Sequence, residues 1–244
     1  AVQLEAPAAL PVPPEAPPGD VRRLQEELVR TGVVVVHGVY TEEQLRAFRA
    51  QHAENFREVL GATGAVESER RCYTHTFKGV VSAHYVDSWD MDDGSEALQI
   101  GSGRYDYTYG MDAGCFADAS FHEPPVVAEL MRLCLGGDYS HYAGCLTSSG
   151  LSGNGFWHRD TLPLFGDGAA DVQLPPYYYT VLVPLVPLTL ENGATEVILG
   201  SHRVADAEVS CEESERLRTI CPPGSVVVFD GRCCHRGMPN LTEG

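Results

Sequence analysis

Near the N-terminus the apolar positions recur at helical spacing. Val21, Leu24 and Leu28 lie three and four residues apart, which gathers them on one side of an α-helix. Gly32 ends that period, and Val33, Val34, Val35 and Val36 form a β-branched run that predicts a strand. Thr41 and Gln44 have the spacing of a capping box. They predict a second helix whose Leu45, Phe48, Phe56 and Leu60 lie near one face. Pro124 and Pro125 open a third helix, with Val127, Leu130, Met131 and Cys134 inward.

Elsewhere the pattern is not helical. Residues 1–19 are rich in Ala and Pro and predict an extended leader, leaving one domain over 20–244. Between Glu67 and Phe121 the chain looks irregular and is rich in Tyr, Asp and Gly, which predicts long functional loops. Arg104, Tyr105 and Tyr107 are expected to line a substrate entrance, with Arg71 and Lys78 as further cations. The alternating tyrosines fit one face of an ordinary strand equally well. In the C-terminal half, Pro222-Pro223-Gly224-Ser225 is a turn feeding the buried strand Val226–Phe229. Glu191-Asn192-Gly193 predicts a hairpin turn between the runs Tyr177–Leu190 and Ala194–Leu199.

Chemistry enters with Phe156-Trp157-His158-Arg159-Asp160. Residues i and i+2 of a strand share a face, so His158 and Asp160 can bind one metal while Arg159 points away. A third ligand must come from a neighbouring strand, and His235, just past the Val226–Phe229 run, is the best candidate. Two histidines and one carboxylate on one face leave open positions opposite, as a non-haem Fe(II) oxygenase requires. His75, His84, His122 and His141 are expected to be hydrogen-bonded structural residues.

Charge and composition narrow the partners. The formal net charge of −17 disfavours nucleic acid, whose affinity rests on neutralising phosphates with Lys and Arg. No apolar run approaches the length of a membrane span. The 8 cysteines lack the paired spacing of a zinc ribbon and fit a reducing compartment such as the cytoplasm. Organelle targeting by a removed N-terminal segment stays open. Asn240-Leu241-Thr242 matches a glycosylation sequon and is expected to be an unmodified turn.

The order Trp-His-x-Asp, then Glu-Asn-Gly and Gly-Ser-His, then Pro-Gly-Ser-Val-Val-Val-Phe-Asp before His235 resembles the phytanoyl-CoA dioxygenase-like family of Fe(II)/2-oxoglutarate oxygenases. The segment Leu24 to Tyr40 is similar to that family's N-terminal signature. The resemblance implies a mainly β fold, a double-stranded β-helix or jelly-roll core with flanking helices outside it. It implies Fe(II) on His158, Asp160 and His235, with 2-oxoglutarate and dioxygen (O2) as co-substrates and ascorbate as an accessory reductant. A small organic substrate would be hydroxylated or otherwise oxidised as succinate and CO2 are released. Family halogenases replace the carboxylate with a small residue, so Asp160 favours hydroxylation.

The family also anchors the distal carboxylate of 2-oxoglutarate with an arginine on the strand after the last metal histidine. This sequence stops a few residues past His235, so that strand and a continuation of the chain are expected beyond Gly244. Arg203, Arg232 and Arg236 are poorly placed substitutes, and Thr147 and Thr180 are the expected helpers for the keto acid. Two other readings stay open, a divalent-metal hydrolase using the same ligands and a catalytically silent jelly-roll binding module.

Overall fold

The computed structural model describes residues 20–65, 68–77, 80–101, 103–161, 163–165, 170–205, 208–210, 212 and 215–243. The leader expected over 1–19, Lys78, and the side chains of His75 and His84 lie outside the described residues.

Helix α1 (Val21–Thr31) starts on Asp20, whose side chain accepts from Arg23 N. It buries Val21, Leu24 and Leu28 and ends at Gly32, whose φ of 85° is the left-handed closure that favours glycine. Strand β1 (Val33–Val36) follows. The Thr41 and Gln44 side chains cap each other's backbone N–H at the start of α2 (Glu42–Ala65). On α2, Val59 is buried and the expected inward Leu60 is exposed.

The stretch expected to be irregular is a sheet. Strands β2 (Glu69–Phe77), β3 (Val80–Asp90), β4 (Glu96–Ile100) and β5 (Arg104–Tyr107) run antiparallel, and β6 (Cys145–Ser148) completes five in that order. Between β5 and β6 lie the short helix α3 (Ala119–His122) and α4 (Pro125–Leu135). Polar residues on both faces hide these strands from a search for alternating hydrophobicity.

The remaining strands form two three-stranded antiparallel sheets. β7 (Tyr179–Leu182) and β10 (Val226–Asp230) join β1 in the order β1-β10-β7. β8 (Thr195–Ile198), β9 (Arg216–Arg218) and β11 (His235–Gly237) form the order β11-β8-β9. Val34, Val36, Val226 and Val228 pack under α1 and α4, while Val33, Val35, Val227 and Phe229 pack against Val197 and Leu217 of the other small sheet. Both faces of β1 and β10 are therefore buried, which is why they read as unbroken apolar runs. Each such side chain contributes about 1.5–3 kcal/mol.

The Asn192-Gly193 turn is present, with Gly193 at φ 90°, but it does not join a paired hairpin. β7 stops at Leu182 and pairs with β10, and β8 pairs with β9 and β11. Pro184 and Pro187 lack the N–H that a continued ladder needs.

Gly32 joins the helical layer to the site-bearing turn. Its carbonyl accepts from Asp230 N at 2.9 Å and from the Cys233 thiol at 3.3 Å. A Cβ there would lie 2.4 Å from Cys233 Sγ and 2.5 Å from His202 Nδ1. Gly32→Ala is expected to cost about 2–5 kcal/mol, the sum of left-handed strain and overpacking. A urea midpoint within error of wild type would contradict this.

Candidate metal centre

His158 and His235 face each other across an isolated antiparallel bridge. Their backbones exchange both hydrogen bonds, His158 N to His235 O at 3.0 Å and His235 N to His158 O at 2.9 Å. Side chains of such a pair leave the ladder on the same face, and here the ring centroids are 4.2 Å apart. Asp160 lies in a bend rather than the expected strand, fixed by Asp160 N donating to Gly231 O at 2.9 Å. The turn from β10 to β11 thus positions two of the three groups.

The donor atoms converge. His158 Nε2 is 3.5 Å and His235 Nε2 is 3.3 Å from Asp160 Oδ1. Each histidine turns its other nitrogen to a backbone carbonyl, Nδ1 of His158 to Phe156 O at 2.9 Å and Nδ1 of His235 to Cys233 O at 3.1 Å. A carbonyl only accepts, so each Nδ1 carries a hydrogen, and each Nε2 is the atom left for a cation, which would replace any proton held there. Thr180 Oγ1 donates to Asp160 Oδ2, leaving Oδ1 turned towards the imidazoles. Among the described residues these three form the one cluster of ligand-type groups close enough to share a metal.

Burial pushes the Asp160 carboxyl up, but hydrogen bonds from His158, His235 and Thr180 and the charge of His235 outweigh it. The group is held far below the usual carboxylate range. Burial pulls His158 down, yet the hydrogen bond to Asp160, the Phe156 carbonyl and the Asp160 charge leave it raised. The carboxylate is thus kept ionised, the form that can hold a cation. Side-chain exposures of 32% for His158, 23% for Asp160 and 8% for His235 show an opening on the His158 and Asp160 side. Phe156 and Phe229 stand beside the two imidazoles, with centroid separations of 5.1 and 4.6 Å.

Several expected site residues lie elsewhere. Thr147 pairs with Tyr105 on the sheet face that meets α2, where its hydroxyl contacts His52 Nε2 at 2.9 Å. Tyr107 shares that face and is buried with Val59, and Tyr105 packs edge-on against Phe56. The loop expectation failed for the tyrosines because β5 sends alternate side chains to opposite faces. Arg104 is on the opposite face but buried, donating to Gly153 O and Met238 O, so it braces the end of β11. Arg71 is paired with Glu69 and Glu96. His122 and His141 meet with tilted rings, centroids 4.7 Å apart, and line a cavity of about 500 Å³.

The cations near the centre have structural partners. Arg159 points away, as expected, and donates to the carbonyls of Ser201, Arg232 and Val204. Arg203 donates to Val29 O, and Arg232 is engaged by Asp230. Arg236 pairs with the fully buried Glu196 and stacks over Trp157.

Sequence reasoning gave Thr180 a different task from the one its geometry indicates, since nothing local to the chain names its partner 20 residues away. Thr180→Val is expected to weaken metal affinity about ten- to a hundredfold, the range for loss of an outer-shell partner, with Thr180→Ser close to wild type. Equal Co(II) affinity for the valine variant and wild type would overturn that role.

Comparison with known proteins gives the family and the fold. The family described as phytanoyl-CoA dioxygenase (PhyH) matches residues 28–244. The iron/alpha-ketoglutarate-dependent dioxygenase penM of Penicillium thymicola is 38% identical over 68 residues, 28% of this chain and 22% of that protein. The similarly named ausU of Aspergillus calidoustus is 34% identical over 103 residues, 41% of this chain and 34% of that protein. The matches span about a fifth to a half of the length of the curated relatives. Among solved structures, AviO1 from Streptomyces viridochromogenes Tue57 has a TM-score of 0.59 at 17% identity, covering 92% of this chain and 90% of that one. The non-heme alpha ketoglutarate dependent epimerase SnoN from nogalamycin biosynthesis has a TM-score of 0.54 at 17% identity, covering 93% and 77%. These likenesses show the fold, a mainly β jelly-roll with a few flanking helices.

Proposed function

Because the chain belongs to the phytanoyl-CoA dioxygenase (PhyH) family, we propose that it is a non-haem Fe(II)- and 2-oxoglutarate-dependent dioxygenase acting on a small organic substrate. The observation that carries this is the convergence of His158 Nε2, His235 Nε2 and Asp160 Oδ1. Two imidazoles and one carboxylate are the donor set of a non-haem Fe(II) oxygenase, and the exposed side leaves room for further ligands.

His158, Asp160 and His235 would hold the iron. When bound, iron with 2-oxoglutarate and dioxygen supplies the oxidising power, giving succinate, CO2 and an oxidised substrate. The chain's own share is positioning. The carbonyls of Phe156 and Cys233 fix the imidazole tautomers, and Thr180 fixes the rotation of the carboxylate. Phe156 and Phe229 shield the imidazole side from water. Asp160 keeps the carboxylate that halogenases of the family lack, which supports hydroxylation or a related oxidation.

The remaining partners fit a small-molecule enzyme. No helix among the described residues is long and apolar enough to cross a membrane. The seven described cysteines are free thiols, which supports a reducing compartment.

Anaerobic titration of the Fe(II)-loaded protein with 2-oxoglutarate tests the assignment. A weak visible charge-transfer band is expected, followed in air by succinate release when a metabolite extract contains the substrate. Tight Fe(II) binding with no band at saturating 2-oxoglutarate would favour a metal hydrolase or a silent binding module instead.

A further inference from the structure

The five-stranded sheet turns one face to α2, and β5 shows which residue serves which side. Tyr105 and Tyr107 pack against Phe56 of α2. Arg104 and Asp106 therefore leave on the other face. Arg104 confirms the direction, since its guanidinium reaches Met238 O, three residues beyond His235. Asp106 lies one step further along the same face and is close enough to Asp160 to feel its charge.

Asp106 is half-buried, and it has no hydrogen-bond or ion-pair partner among the described residues. Burial and then the Asp160 charge both push its carboxyl above the usual range. A carboxylate kept in this position without a partner is costly unless something that binds there compensates it. Its cross-strand neighbours on the same face are Leu98 and Leu146, the latter 56% exposed. The cross-strand neighbours of Asp106 are thus apolar and offer it no countercharge.

We propose that Asp106 is a substrate-positioning residue that receives the protonated amine of a small organic substrate, with Leu98 and Leu146 against its hydrocarbon part. This rests on the iron centre proposed above. Fe(II) with Asp160 and a dianionic co-substrate leaves that centre net negative, so both acidic groups favour a cation over a neutral or anionic substrate.

The test uses Mn(II) as a redox-inert stand-in, with 2-oxoglutarate present, and reads paramagnetic relaxation of the protons of three probes of one shape. The probes are cyclohexylammonium, cyclohexanol and cyclohexanecarboxylate. Wild type is expected to bind the ammonium at least about tenfold more tightly than the alcohol and to leave the carboxylate unrelaxed. In Asp106→Asn the ammonium preference is expected to vanish while Mn(II) affinity stays within about threefold of wild type. General attraction of cations to an acidic protein would survive that substitution, so retained preference in Asp106→Asn overturns the proposal. Alcohol binding as tight as ammonium binding by wild type overturns it without need of a variant. Failure of wild type to bind Mn(II) would sink the metal centre as well, whereas metal binding without ammonium preference sinks this inference alone.

Discussion

Fe(II) binding and 2-oxoglutarate turnover are expected to disappear in His158→Ala, Asp160→Ala and His235→Ala, each of which leaves a cooperatively folding protein. Three donor atoms meet within a few ångströms, and no fourth ligand-type side chain among the described residues stands close enough to replace one. The loss should therefore exceed the ten- to hundredfold that removal of an outer-shell partner costs. The fold should persist because the three side chains line an opening, and the sandwich core of Val33, Val35, Val197, Val227 and Phe229 is untouched. Metal titration followed by isotope-labelled succinate release measures both losses. Near wild-type succinate production by any of the three would reject the site.

These ligands were legible in the sequence because metal chemistry restricts both residue type and spacing. His158 and Asp160 are two residues apart, and His235 follows an apolar run headed by a Pro-Gly turn, so a face and a neighbouring strand could be inferred without coordinates. The structure replaces the expected strand with a bridge and a bend, yet the three groups still meet. α1, Gly32 and β1 were legible for a similar reason, since period and punctuation agree there.

The five-stranded sheet was not legible. β5 reads Arg-Tyr-Asp-Tyr, polar on one face and aromatic on the other, a pattern that marks neither face as core until α2 is seen packing on the tyrosines. Tyr105 and Tyr107 turn to α2, and Asp106 shares the opposite face with Arg104. Charged side chains mislead in the same way. Arg104, Arg159 and Arg232 each spend donors on carbonyls or a carboxylate of their own chain, which nothing local in the sequence announces.

Arg232→Ala is expected to be the most destabilising single change near the site, costing about 3–5 kcal/mol. Its guanidinium holds Asp230 as a fork, Nε to Oδ1 at 2.9 Å and Nη2 to Oδ2 at 2.7 Å, with only 6% and 2% of the two side chains exposed. Removing the arginine leaves a buried carboxylate with no cation, which costs more than the pair contributes. Nη1 also donates to Asp171 O and Leu174 O, each at 2.9 Å, and Asp171 in turn accepts from Leu164 N and Phe165 N. The same substitution should therefore loosen the segment beyond Asp160 and weaken metal binding along with stability. Because the penalty comes from the stranded charge, the double variant Asp230→Asn, Arg232→Met should be more stable than Arg232→Ala alone. Urea unfolding of the single and double variants measures the coupling, and a double variant less stable than Arg232→Ala would show that shape, not charge, sets the cost.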